Sequence, residues 1–207
     1  MPYVIRPKQR MSFVTALLSA AVLAFLALPA MADAACPVEP VSQPFERFGD
    51  FADYSLLSNG HFESGTGGWS LENTSIAQQN ESFRVRSPWD SKSLRIDSTG
   101  HAVSPAFCVS MDHPTFRFFA RRVTGSWGVL NVKLRWTTPG GREVETMSGA
   151  PSGDGYTVWQ PSHPMALGTA LPLWRRDDTL NVRLVFDPED WGGDWLIDDV
   201  YIDPYRR

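Results

Sequence analysis

Trp195-Leu196-Ile197-Asp198-Asp199-Val200-Tyr201-Ile202 reads as a strand with an acid at its centre. In an alternating strand, Leu196, Asp198, Val200 and Ile202 share one face. Three of those four side chains are apolar, so the face is expected to point inward. A carboxylate taken out of water needs a cation or several hydrogen bonds to compensate it. Asp199 falls on the opposite face and is expected to be solvated. Far upstream, Asn59-Gly60-His61-Phe62-Glu63-Ser64-Gly65 leads through Gly68 to Trp69 and supplies a second acid, Glu63. The two segments read as halves of one site.

Between them the chain is punctuated every few residues by Gly, Pro, Ser and Asp. Strands are expected at 83–85, 93–96, 106–109, 115–123, 129–137, 143–147, 157–160, 180–186 and 195–202. Pro139-Gly140-Gly141 and Ser152-Gly153-Asp154-Gly155 are turn signals. No helical apolar period is sustained. Many short strands with almost no helix predict an all-β protein, a β-sandwich or barrel. Phe116, Phe118, Leu130, Val132, Leu134, Leu180, Val182 and Leu184 alternate with polar residues and form the expected core. The polar faces of the same three strands carry Arg117, Arg121, Lys133, Arg135 and Arg183. If the strands are neighbours, these make a positive patch suited to an anionic cell-surface polymer. Acidic loops that screen it are the alternative.

The first 32 residues read as a signal peptide. Arg6, Lys8 and Arg10 precede an apolar run, and Ala30-Met31-Ala32 offers a cleavage site. The mature protein is therefore expected to be secreted, extracellular and not membrane-associated. Taking those three cations from the 19 basic residues leaves 16 against 23 acidic ones, a formal charge of −7. That balance argues against nucleic-acid binding. Residues 33–54 read as an extended N-terminal segment, and 55–207 as the folded domain. The chain has two cysteines, Cys36 and Cys108. In an exported protein they are expected to form one disulfide, with two buried free thiols as the alternative.

Asn59–Gly65 with Gly68-Trp69-Ser70, the Ser93-Leu94-Arg95-Ile96 strand and the closing Ile197-Asp198-Asp199-Val200 resemble carbohydrate-binding modules with a galactose-binding-like jelly-roll fold. The resemblance spans about Leu56 to Asp203. It implies a two-sheet antiparallel β-sandwich, a jelly roll, with a structural calcium where the first and last strands meet, held by Glu63 and Asp198. On the residues alone, Asp198 could instead cap backbone amides or pair with an arginine. The resemblance also implies a glycan partner. The chain has eight tryptophans. Trp69, Trp136 and Trp195 sit in packing motifs. Trp89, Trp127, Trp174 and Trp191 lie among turn residues and are the candidates for a glycan-binding rim. No catalytic motif is present, and the four histidines are scattered, so no enzyme is expected. Two rivals remain: a structural or adhesive extracellular protein without a small ligand, and a jelly-roll glycan hydrolase or lyase.

Overall fold

The computed structural model describes residues 35–125, 127–173, 175, 178–189 and 193–204. The signal segment at 1–32, Trp174 and Trp191 lie outside the described residues. The strands are β1 (Val41–Ser42), β2 (Tyr54–Leu56), β3 (Ser70–Ala77), β4 (Ser93–Val103), β5 (Phe107–Ser110), β6 (Thr115–Arg122), β7 (Leu130–Thr137), β8 (Glu143–Gly149), β9 (Gln160–Pro161), β10 (Met165–Ala166), β11 (Thr179–Pro188) and β12 (Trp195–Ile202). Among the described residues there is no α-helix, only three short 3-10 turns. All strand pairs are antiparallel, and the fold is a jelly-roll sandwich.

The ladder is continuous, and it folds into two layers because β4 changes partner along its length. Leu94–Ile96 pair with β12, whereas Ala102 and Val103 pair with β11. The β3–β4 hairpin bends at the same place. Its register shifts between Glu72 and Thr74, and Asn73 takes a positive φ of 46°. A Cβ on Gly100 would sit 2.6 Å from the Asn73 carbonyl oxygen, so the bend requires glycine there. One layer is built on β12 and β6, with β9 and β10 beside β6. The other runs β4–β11–β7–β8.

The core between the layers contains Phe116, Phe118, Leu130, Val132, Leu134, Val182 and Leu184, all fully buried as their alternation predicts. Leu180 is only partly buried, at the start of β11. Trp69, Trp136 and Trp195 also pack into this core.

Two expected strands are not strands. At 83–85 the amides of Phe83 and Val85 donate to the Glu81 carboxylate instead of a neighbouring strand. In the 157–160 stretch Thr157 ends a 3-10 turn, Val158 and Trp159 belong to no element, and only Gln160 joins β9. Conversely, β3 (Ser-Leu-Glu-Asn-Thr-Ser-Ile-Ala) has no clean apolar alternation. It lies at the rim of the sandwich and contributes mostly exposed or half-buried side chains.

The N-terminal segment does more than extend. A second apolar cluster of Phe45, Tyr54, Phe119, Trp159, Leu196 and Tyr201 lies on the outer face of the β6–β12 layer. Phe45 stacks on Phe119 at 5.3 Å and meets Tyr54 edge-on at 4.9 Å. Phe119 breaks the polar alternation of β6 because its face is covered. Cys36 and Cys108 form a disulfide, Cα–Cα 5.4 Å, which ties the beginning of this segment to β5.

Leu134→Ala is expected to cost about 2–5 kcal/mol in chemical denaturation. Phe45→Ala, outside the sandwich proper, is expected to cost about 3–5 kcal/mol. An unchanged midpoint for Phe45→Ala would mean that the segment is not part of the cooperative unit.

Candidate functional site

The alternation of β12 fails at its centre. Trp195 and Ile197 face the main core, and so do Val200 and Ile202, whereas Leu196 and Tyr201 face the outer cluster. The expected shared face of Leu196, Asp198, Val200 and Ile202 is therefore not formed. The cause is a bulge: the register with β6 shifts between Asp198 and Tyr201, and Asp199 adopts a left-handed φ of 46°. One extra residue inverts the phase of every side chain beyond it.

Asp198 is fully buried. Its Oδ2 accepts the Glu81 amide at 2.9 Å, and its Oδ1 accepts the Asp199 amide at 2.9 Å. This is the amide-capping alternative read from the sequence. Asp199 is not solvated. It is also fully buried, and among the described residues neither of its carboxylate oxygens has a hydrogen-bond partner. Burial, with Glu81 and Asp90 nearby, pushes its pKa up to about 7. Burial and the Asp199 charge raise that of Asp198 as well. Asp90 Oδ2 and Asn80 Oδ1 are likewise buried without partners. Asp90 Oδ1 is held by Arg86. Sequence reasoning missed Asn80, Glu81 and Asp90 because they lie in an irregular loop between β3 and β4. Their common feature with the terminal motif is spatial.

Glu63 lies at the edge of this group. Its Oε1 accepts the amides of Ser91 (2.6 Å) and Lys92, and its carbonyl accepts Lys92 Nζ at 2.8 Å. Among the described residues, no three His, Cys, Asp or Glu side chains are arranged as a metal site. Calcium takes six to eight oxygen ligands, including carbonyls and water. The oxygens without hydrogen-bond donors, on Asp199, Asp90 and Asn80, are of that hard type. The donor chemistry fits calcium, but the side chain it favours in the terminal motif is Asp199 rather than Asp198.

The five cations do not form one patch. Arg117 and Arg121 belong to β6, whereas Lys133, Arg135 and Arg183 lie on the outer face of the opposite layer. Arg117 is buried. It stacks over the Phe45 ring at 4.2 Å, pairs with Asp50 at 2.6 Å and donates to the Ser162 carbonyl. Arg121 is half-buried, and among the described residues its Nε has no hydrogen-bond partner. On the other layer, Lys133 pairs with Asp187 at 2.7 Å, and Arg135 pairs with Glu145 at 2.6 Å and Glu143 at 3.6 Å. Strand acids, rather than acidic loops, screen those two.

One cavity lies on the outer face of the β7–β11 layer, and a second meets it at the start of β11. The first, of about 450 Å³, is lined by residues that include Arg135, Trp136, Glu143, Asn181 and Arg183. The other, of about 760 Å³, runs past Phe107, Cys108 and His113 to the N-terminal segment. They share Ala106, Thr179 and Asn181, and so lie on either side of the start of β11. Trp89 and Trp127 are 88% and 84% exposed, as loop residues should be, but neither lines these cavities. Trp89 sits in the loop entering β4 and Trp127 in the loop leaving β6. Trp159, unplaced by the sequence, belongs to the outer apolar cluster.

Asp194 is engaged by Arg95 and the Ser98 amide. His113 Nδ1 lies 3.1 Å from Ser110 Oγ, but it also accepts Ser110's own amide, which makes it a turn acceptor.

No family model matches the sequence, and neither does any curated protein. Solved structures do match. A xylan-binding domain of carbohydrate-binding module family 22 aligns with 73% of this chain and 97% of its own, at 14% identity and a TM-score of 0.50. The C-terminal family 22 module of a Clostridium thermocellum protein covers 70% of this chain and 95% of its own, at 16% identity and a TM-score of 0.47. A family 61 module in complex with β-1,4-galactotriose covers 71% and 96%, at 18% identity and a TM-score of 0.38. The first of these establishes a shared jelly-roll fold.

The buried acids imply a pH dependence. Asp199 moves from an ordinary 3.8 to about 7 on folding, so between those values the folded state keeps a proton that the unfolded chain has lost. Stability is then highest on the acid side and falls as the pH rises through this window. Melting temperatures in chelator, between pH 4.5 and 8, should show that decline. Asp199→Asn should make it shallower, leaving the part contributed by Asp198.

Proposed function

We propose that the protein is a secreted, non-catalytic carbohydrate-binding module that takes a glycan along the outer face of the β7–β11 layer. One observation carries this reading. A sandwich has two outer faces, and here the N-terminal segment and the loop through Phe83 cover that of the β6–β12 layer. The remaining face is open and lined with hydrogen-bonding side chains. It borders cavities within the size range of ligand sites, about 300–1,000 Å³. The disulfide supports an oxidising, extracellular setting. The fold shared with a xylan-binding domain raises the prior for a glycan, as an analogy of fold.

A second reading, an adhesive protein, is favoured by the widely exposed rings of Trp89 and Trp127 outside the groove. A polysaccharide array separates the two. The mature wild type should bind at least one polymer, and Asn181→Ala should weaken that binding several-fold. Trp89→Ala and Trp127→Ala should change it less than twofold. If folded wild-type protein binds no polymer, the glycan reading fails. If only the tryptophan variants lose binding, these rings, rather than the groove, are the glycan site.

We also infer a structural calcium ion that compensates the Asp199 carboxylate, with Asp90, Asn80 and main-chain carbonyls as further donors and Glu63 at the edge. An ion that binds only the folded state raises stability by mass action, roughly 2.7 kcal/mol at a hundred times its dissociation constant. Chelator should lower the wild-type melting temperature. Asp199→Asn should remove that sensitivity. Asp198→Asn should destabilise the protein with or without chelator, because it turns one of the two oxygens that accept backbone amides into a donor. Insensitivity of the wild type to chelator would dismiss the ion.

A further inference from the structure

Arg135 and Arg183 stand directly opposite each other on β7 and β11. Like charges in that position, across an antiparallel pair, destabilise a sheet. Both are half-buried on the open outer face, which raises the cost. Arg135 is compensated by Glu145 and Glu143. Arg183 is not. Its Nη1 donates to the Ser104 carbonyl at 2.9 Å, and among the described residues no carboxylate lies within ion-pair distance of it. A guanidinium carries five N–H donors in a planar fork. The contact with the Ser104 carbonyl uses one of them.

Both arginines line the same cavity of about 450 Å³, beside Thr137, Thr179 and Asn181, where Ala106 leaves room. Two other strand cations are committed. Arg117 is locked under Phe45, and Lys133 is neutralised by Asp187. A stability cost kept at one point, next to a cavity and without a counter-charge, marks a site that awaits an anion. An arginine fork matches the two oxygens of a carboxylate geometrically. Glu143, at the cavity's rim, disfavours a polymer carrying dense charge at every position.

We propose that this cavity recognises the carboxylate of a uronic-acid residue in an acidic polysaccharide. Arg183 takes the carboxylate, Arg135 adds positive potential, and Asn181 and Thr179 meet the sugar hydroxyls. The proposal rests on the glycan-binding reading and narrows its ligand class.

The test compares one polymer in two forms, glucuronoxylan and the same polymer with its carboxyl groups reduced to alcohols, by affinity electrophoresis at low and high salt. Wild type should bind the acidic form at least tenfold more tightly, and salt should erase most of the difference. Arg183→Met should lose that tenfold preference, and Arg183→Lys should keep part of it. The melting temperature of Arg183→Met should be unchanged or higher, since a like-charge contact has gone. A large fall in melting temperature would make Arg183 structural and overturn the proposal. Equal binding of both forms by wild type would overturn it while leaving the glycan reading intact. Binding to neither, nor to any arrayed polymer, would overturn both. Tighter binding to dextran sulfate than to any uronate polymer would refute the carboxylate assignment.

Discussion

Strand β12 is buried along its whole length, and the rest of the molecule is arranged around that burial. It pairs with β4 and β2 on one edge and β6 on the other, so its backbone is satisfied on both sides. Its side chains feed two apolar clusters, one on each face. A strand in that position has no solvent-facing side to which an acid could be moved. Asp198 and Asp199 are therefore buried by topology, and each must be compensated where it stands. Backbone amides from the β3–β4 loop and from the strand itself compensate Asp198. Asp199, at the bulge, has no such donor, and its neighbours Glu81 and Asp90 are acids too. An unpartnered buried carboxylate is costly unless it is protonated or meets a cation. The calcium reading and the pH dependence are two answers to that single constraint.

Covering one face of the sandwich decides what the other face can do. The segment from Phe45 to Tyr54 converts the outer side of the β6–β12 layer into a second core. Arg117 shows the consequence. On an open sheet it would be a surface cation. Under Phe45 it becomes a buried bridge between Asp50, the Ser162 carbonyl and an aromatic ring. The opposite face keeps its charges at the surface, where they mostly cancel across strands. Cancellation leaves Arg183 as the uncompensated member, and that asymmetry gives the face its chemical direction.

Much of this was legible in the residues. Strict alternation in β6, β7 and β11 identified the main core, because a period of two with apolar residues on one side has few other readings. Two cysteines in a chain expected to be exported left one pairing. The motifs at Asn59–Gly65 and Trp195–Ile202 located the ends of the jelly roll. What the sequence could not express was the phase of β12. Its bulge comes from a backbone conformation at Asp199, and neither Asp198 nor Asp199 signals by type which of them is displaced. Likewise, the expected strand at 83–85 fits strand propensity locally, but Glu81 takes its amides.

The sequence by itself determined an all-β sandwich, its principal core and its disulfide, because each depends on local periodicity or on a choice with one member. The tertiary structure alone decided which acid of the pair is left without donors, which face is covered and which cations share a surface. Those properties depend on contacts between segments far apart in the chain. Glu81 reaches Asp198, Phe45 reaches Phe119, and Arg183 faces Arg135 only once the sheets have folded over one another.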